Sequence, residues 1–421
     1  MGPAANIGKG APIDEIEQVL SVVWPDEPRT LLLQACLGAS PEANNAWHRF
    51  ANYSGDSKPF FERDMSGLKG ILPLVHSAAR RNAFQLEPKV WTYLRSAALR
   101  EELRYSAYRD LCGSVLRAFV DAGVPVIALK ACALAETIYE TPAERHCHAI
   151  DLLVPSESLA DAEQIIRPLG FRPARIVEAR RGARRGFRHE SGLPLAVHGN
   201  LFDPPIYTFD AAPLWTASYP RTIAGVPVRV LCPTHNLLHV LGSAFHDPMR
   251  HNLRWACDAW QLLEGLTTSD WSELVQRTQQ GGLEFPVLTM LRFLAGSIAA
   301  PVPGEVLTAL EASAREAGRP SREAALSGAI GGLSILRKIW FERLHDPQAR
   351  RSLLQFLLWP SAQFLQWRYG TKSRTLVALL YLYRPVISVA QRLWGRVLRL
   401  PGLNRFTHYH RVAAELERRR A

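Results

Sequence analysis

Apolar residues recur at helical spacing over the first 120 positions. Ile16, Leu20 and Val23 open a stripe that Leu31–Leu37 continues beyond Pro25 and Pro28. Leu68, Ile71, Leu72 and Val75 mark a further helix within Phe60–Arg80, where Pro73 is expected to break or kink the chain. Leu94, Leu99, Leu103, Leu111, Val115 and Phe119 line a longer one, from Val90 to Val120. These spacings predict amphipathic helices. From Val124 the pattern changes. Val126–Leu129 reads as a buried strand, Ala131–Glu140 as a helix and Ile150–Val154 as a second apolar strand. Ser156 is a candidate N-cap for a helix over Leu159–Leu169, which Gly170 would stop. Phe171–Val177 and Gly186–His189 read as a hairpin, and Leu193–Val197 and Val228–Leu231 as further strands. Pro233–Ala300 is helical again.

The pattern predicts an α+β fold, a small mixed sheet flanked by N-terminal and C-terminal helical regions. The expected divisions are 1–120 (helical), 121–232 (the sheet-bearing core), 233–300 (helices packed on that core) and 301–421. The last begins at the linker Pro301-Val302-Pro303-Gly304 and is rich in Arg, Trp and Leu. Its apolar runs, Leu353–Trp359 and Leu376–Tyr383, fall short of the ~20 residues of a spanning helix. No transmembrane segment is expected, although the tail helices suit a peripheral membrane contact.

Composition sharpens this picture only in part. The 421 residues are 47% hydrophobic and 21% charged, as in globular proteins, and the net charge is +11. A basic balance suits a polyanionic partner: a nucleotide triphosphate, a nucleic acid or an anionic surface. Arg172, Arg175, Arg180, Arg181, Arg184, Arg185 and Arg188 fall in one run, against the single acid Glu178. That run is either a nucleotide or nucleic-acid contact or a solvated face. The six cysteines are scattered without a C-x-x-C pair, and the N-terminus lacks the apolar core of a signal peptide. Both suggest reduced thiols and a cytoplasmic setting.

The candidate chemistry centres on one acid. Asp151 interrupts the apolar run Ile150-Asp151-Leu152-Leu153-Val154. A carboxylate there needs a partner, either a cation such as Arg145 or a metal ion. Lys130 ends the preceding strand, and His198 lies on a later one. His146-Cys147-His148 has soft-metal ligands, but adjacent loop residues rarely converge on one zinc ion. Arg254 and Asp258, one helical turn apart, suggest an intrahelical ion pair.

In order along the chain, Leu129-Lys130, Tyr139, Pro142, Arg145 and Ile150-Asp151-Leu152-Leu153-Val154 resemble the pattern of the uncharacterised nucleotidyltransferase family, of the polymerase-beta-like superfamily. Leu193–Leu201, with His198, resembles that family's later strand. Leu253-Arg254-Trp255, Asp258 and Asp270-Trp271 resemble a downstream element, so the likeness spans roughly residues 30–300. It implies transfer of NMP from an NTP to an acceptor, with Mg²⁺ or Mn²⁺ held by carboxylates. Asp151 would be a metal ligand. Lys130, Arg145, His198, Arg184 and Arg185 would contact the nucleotide.

Two places depart from the family pattern. Ala149 stands where the first acid of an Asp-x-Asp pair is expected, and Ala196 where a third carboxylate is expected. The catalytic set would be Ala149, Asp151 and Ala196, with acids missing at two positions. The resemblance therefore implies an inactive double-alanine form of a transferase. The alanines are either introduced or native to a pseudoenzyme that binds a nucleotide or partner without turnover. A one-residue shift of a strand is the third reading. The acceptor the resemblance implies is a peptide or small molecule, as in natural-product biosynthesis. A tRNA or protein, as for toxin-like relatives, stays open.

Overall fold

The computed structural model describes residues 24–54, 68–173, 184–202, 209–245 and 253–316, with 375, 378, 379 and 381. The chain divides into two compact units, Met1–His345 and Asp346–Ala421. In the second, the four described residues are helical. No helix among the described residues is long and apolar enough to cross a membrane. Apart from those four residues, the tail helices expected to make a membrane contact lie outside the described residues.

Among the described residues, the first unit opens with helices α1 (Glu27–Leu37), α2 (Glu42–Ser54), α3 (Leu72–Arg81) and α4 (Pro88–Asp121). Asp26 caps α1 by accepting from the backbone N–H of Arg29. Pro73 does not break α3. It occupies the first turn, where its missing N–H costs nothing, so it starts the helix rather than interrupting it.

Then come β1 (Ile127–Leu129), α5 (Ala131–Thr137), β2 (Ile150–Leu153), α6 (Ala162–Ile166), β3 (Phe171–Pro173), β4 (Arg184–His189) and β5 (Pro194–His198). The helix expected over Leu159–Leu169 is only α6 between two 3₁₀ turns, the second of which contains Pro168. Gly170 follows at φ 85°, a left-handed position suited to glycine. Ser156 does not act as an N-cap; its hydroxyl donates to the carbonyl of Gly199.

Next are α7 (Ala212–Ala217), β6 (Tyr219–Ile223) and β7 (Val226–Val230), of which only β7 is anticipated by the pattern. Helices α8 (Pro233–Phe245), α9 (Arg254–Leu263), α10 (Thr268–Gly281), α11 (Glu284–Ile298) and α12 (Gly304–Glu316) are the remaining described helices of the unit. A capping box between Thr267 and Asp270 opens α10, and Gly282 closes it at φ 70°.

The strands form one mixed seven-stranded sheet in the order β3-β4-β5-β2-β1-β7-β6. At its centre β2 runs antiparallel to β1 and parallel to β5. Each sheet face meets a different core. Ile150, Leu152, Leu195, Val197 and Val228 pack with Tyr108, Val115, Leu116 and Phe119 from the second half of α4. Ile127, Leu129 and Leu153 pack on the other side, in a core shared by α1, α2, α3, the first half of α4 and α8–α12. The helices before and after the sheet thus form one body. Gln34 of α1 donates to the carbonyl of Ser297, at the end of α11, at 2.6 Å.

Candidate functional site

Strand alternation puts Ile150 and Leu152 on one face and Asp151 on the other. Register then sets the neighbours of Asp151: Leu129 on β1 and Ala196 on β5 stand opposite it. Ala149 precedes it by two residues, and His198 follows Ala196 by two. Alternation along β5 puts Ala196 and His198 on the face of Asp151, whereas Ala149 lies just before β2 and outside its register.

Asp151 is only 6% exposed. Its Oδ1 accepts from Lys130 Nζ at 3.0 Å and lies 3.0 Å from His198 Nε2. Burial alone would raise the carboxyl's pKa. The Lys130 ammonium and the His198 ring outweigh burial and hold it well below the usual carboxylate range. The partner of the buried acid is thus Lys130, not Arg145.

Lys130 sits at the turn from β1 into α5 with φ 49° and ψ −132°. This is a conformation that glycine adopts freely and a lysine does not, at a cost of about 1–3 kcal/mol. The lysine side chain is 37% exposed, so its ammonium reaches the acid while retaining a path to solvent.

His239 of α8, only 2% exposed, lies near enough to feel the charges of this cluster. Burial, reinforced by the nearby Lys130 and His198, holds its imidazole well below the ordinary histidine value. The ring packs edge-on against Phe202 at 5.9 Å. The sequence pattern gives His239 no role beyond its place in the helical stretch Pro233–Ala300. Its position toward the sheet follows from packing, which no local period encodes.

Arg145 does something different from the expected nucleotide contact. Its Nε and one terminal nitrogen donate to the two oxygens of Asp258, each at 2.7 Å, and the other terminal nitrogen donates to the carbonyl of His146. Tyr139 donates to the same carboxylate at 2.7 Å. Arg145 is 7% exposed and Asp258 is 3% exposed. Burial would lower the guanidinium's pKa, but Asp258 outweighs it and keeps Arg145 charged. Here the expected Arg254–Asp258 pair gives way, because Arg145 and Tyr139 take Asp258. Arg254 instead meets His148 Nδ1 at 2.7 Å. The result is a bolt between the loop leading into β2 and helix α9. The residues were all visible in the resemblance, but their mutual contact, 113 residues apart for Arg145 and Asp258, was not.

His146 and His148 do not converge on an ion. Their rings stack at 5.8 Å, and His146 is engaged by Glu101 at 2.9 Å. All six cysteines are free.

The arginine run divides. Arg184 stands opposite His198 in the register. Arg185 stands opposite Val197, whose side chain lies in the core on the other face. Alternation therefore turns Arg185 away from Asp151, against the expectation that both neighbours serve the nucleotide. Arg172 and Arg188 are exposed and paired across β3 and β4. Residues 174–183 of the run lie outside the described residues.

A two-metal centre does not fit this donor set. The register neighbour of Asp151 on β5 is Ala196, alanine also stands at 149, and the Oδ1 of Asp151 is already shared by an ammonium and an imidazole. Among the described residues, no group of three or more His, Cys, Asp or Glu could hold a metal ion.

No curated protein matches the chain. A family model described as uncharacterised nucleotidyltransferase matches residues 64–296, more than half of the 421. That span takes in α3, α4, the sheet and the helices through most of α11, and contains every residue of the Asp151 cluster and of the Arg145–Asp258 bolt. The chain belongs to the uncharacterised nucleotidyltransferase family.

Proposed function

We propose that the chain binds a nucleoside triphosphate on the sheet face at Asp151, Lys130 and His198. The reaction of its lineage is transfer of NMP from NTP to a peptide or small-molecule acceptor. The observation that carries this reading is a buried aspartate held by a half-exposed lysine on a strained backbone. Strain of that kind persists where the surrounding structure over-determines it, commonly at ligand sites. Lys130 would contact phosphate, His198 would orient Asp151, and the Arg145–Asp258 bolt would fix the strand that carries the acid. Arg145 is thus a positioning residue in this reading.

With alanine at 149 and 196, the chain in this form is a binder and not a catalyst. A second reading, an active transferase once acids stand there, is favoured by the register alone. Carboxylates at 149 and 196 would flank Asp151 on one face, the arrangement that a pair of divalent ions requires.

The test is a paired assay of the chain and its Ala149→Asp/Ala196→Asp variant. Each is given labelled NTPs, Mg²⁺ and a pool of peptides or cell extract. Transfer or pyrophosphate release from the variant alone is the expected outcome. NTP bound by neither protein at millimolar concentration would overturn the proposal. Label appearing on tRNA or protein would redirect it to a toxin-like acceptor.

A further inference from the structure

We infer that Lys130 takes the place of a divalent ion at this site, so that the chain binds its triphosphate metal-free. The inference rests on the nucleotide-binding reading above and deepens it. It begins with the mismatch between the donor set and a metal centre. A carboxylate that serves a metal must present its oxygens to the ion. Here Asp151 Oδ1 is bonded to Lys130 Nζ at 3.0 Å and lies 3.0 Å from His198 Nε2. The charge that would answer the carboxylate is already built into the chain.

Three features favour the ammonium as the phosphate partner. A lysine ammonium has three donors, and Asp151 uses one of them. The side chain is 37% exposed, so the other two remain within reach of a ligand. The backbone at Lys130 is held at φ 49°, which fixes where the side chain leaves the sheet.

The alanines fit the same logic. Carboxylates at 149 and 196 would repel a bare triphosphate unless a metal lay between. Methyl groups there leave Asp151 as the one acid among these positions, so a bare triphosphate meets one carboxylate rather than three. A bare triphosphate is more negative than its Mg²⁺ complex. A site whose cation is a lysine therefore prefers the uncomplexed form, the reverse of a metal-dependent transferase.

The experiment is calorimetric titration of the full chain with ATP, GTP, CTP and UTP, in EDTA and again in excess Mg²⁺. Binding in EDTA is expected for at least one nucleotide, with affinity about threefold or more weaker once Mg²⁺ is added. Lys130→Met is expected to weaken binding in EDTA by about tenfold or more, and Lys130→Arg to keep most of it. Circular dichroism on both variants checks that they are folded. In the Ala149→Asp/Ala196→Asp variant the dependence should invert, so that binding requires Mg²⁺. Binding by the unaltered chain only with Mg²⁺ would overturn the inference and leave the nucleotide-binding reading standing. So would a folded Lys130→Met that binds in EDTA like the parent. Binding of no nucleotide in either condition would overturn both.

Discussion

The two faces of the central sheet solve different problems with the same strands. On one face Ile150, Leu152, Leu195 and Val197 meet α4 in a core of aliphatic and aromatic side chains. On the other, one residue along, Lys130 and His198 both meet Asp151. The first face obtains its stability from the removal of apolar surface from water. The second holds charge in a place where an unpaired charge is costly, and keeps it only because each charged group has a partner. One face of a strand can therefore be packed with apolar side chains while its alternate residues hold a paired buried charge.

The sharpest way to break this comparison is to unpair the buried bolt beside the site. Asp258→Ala leaves Arg145 charged and buried, and it should cost about 3–5 kcal/mol in chemical denaturation. Replacing both partners with apolar residues, as in Arg145→Met with Asp258→Leu, should recover much of that loss. If the single change costs no more than a surface ion pair, the bolt is not what fixes the loop before β2.

On the apolar face, Leu152→Ala should cost about 2–5 kcal/mol, because a cavity adds to the lost burial. Nucleotide affinity measured below the unfolding transition should stay near that of the parent. An equal loss of affinity would show that the two faces are not separable.

Acid should act on the polar face first. His239 is held neutral in the folded chain, whereas the unfolded chain protonates it near pH 6.5. Its contribution to stability is thus complete above about pH 6.5 and declines below it, by about 1.4 kcal/mol per pH unit. His239→Gln should flatten the fall in denaturation midpoint between pH 7 and pH 5.5. Asp151 acts lower. Its depressed carboxyl keeps its contribution above the unfolded value of about 3.9 and loses it only as pH drops further.

The smallest effect on stability should come from Asp151→Asn, on the order of 1 kcal/mol, because Lys130 can turn to solvent when its partner goes. A much larger loss would mean that the ammonium is less free than its exposure suggests.

Much of this was legible along the chain. Period separated helices from strands, and the break at Asp151 in an apolar run marked the site before any contact was known. The order Lys130, Tyr139, Arg145, Asp151, His198 carried the family resemblance that the match over residues 64–296 bears out. What was misread lay in pairings. Arg254 and Asp258 fit a local rule for helix neighbours, but a bidentate partner from a distant loop satisfied Asp258 better. Arg184 and Arg185 looked equivalent until the register of β4 set Arg185 opposite Val197, whose side chain is in the core on the face away from Asp151.

The sequence alone therefore determined the α+β character of the chain, the position of its buried acid and the absence of carboxylates at 149 and 196. Those depend on side-chain chemistry and local period, which are written residue by residue. Tertiary structure decided which cation answers Asp151, that His239 joins the cluster, and that Arg145 locks α9 to the loop before β2. Those depend on which distant groups approach within hydrogen-bonding distance, and a buried charge accepts whichever partner the packing brings to it.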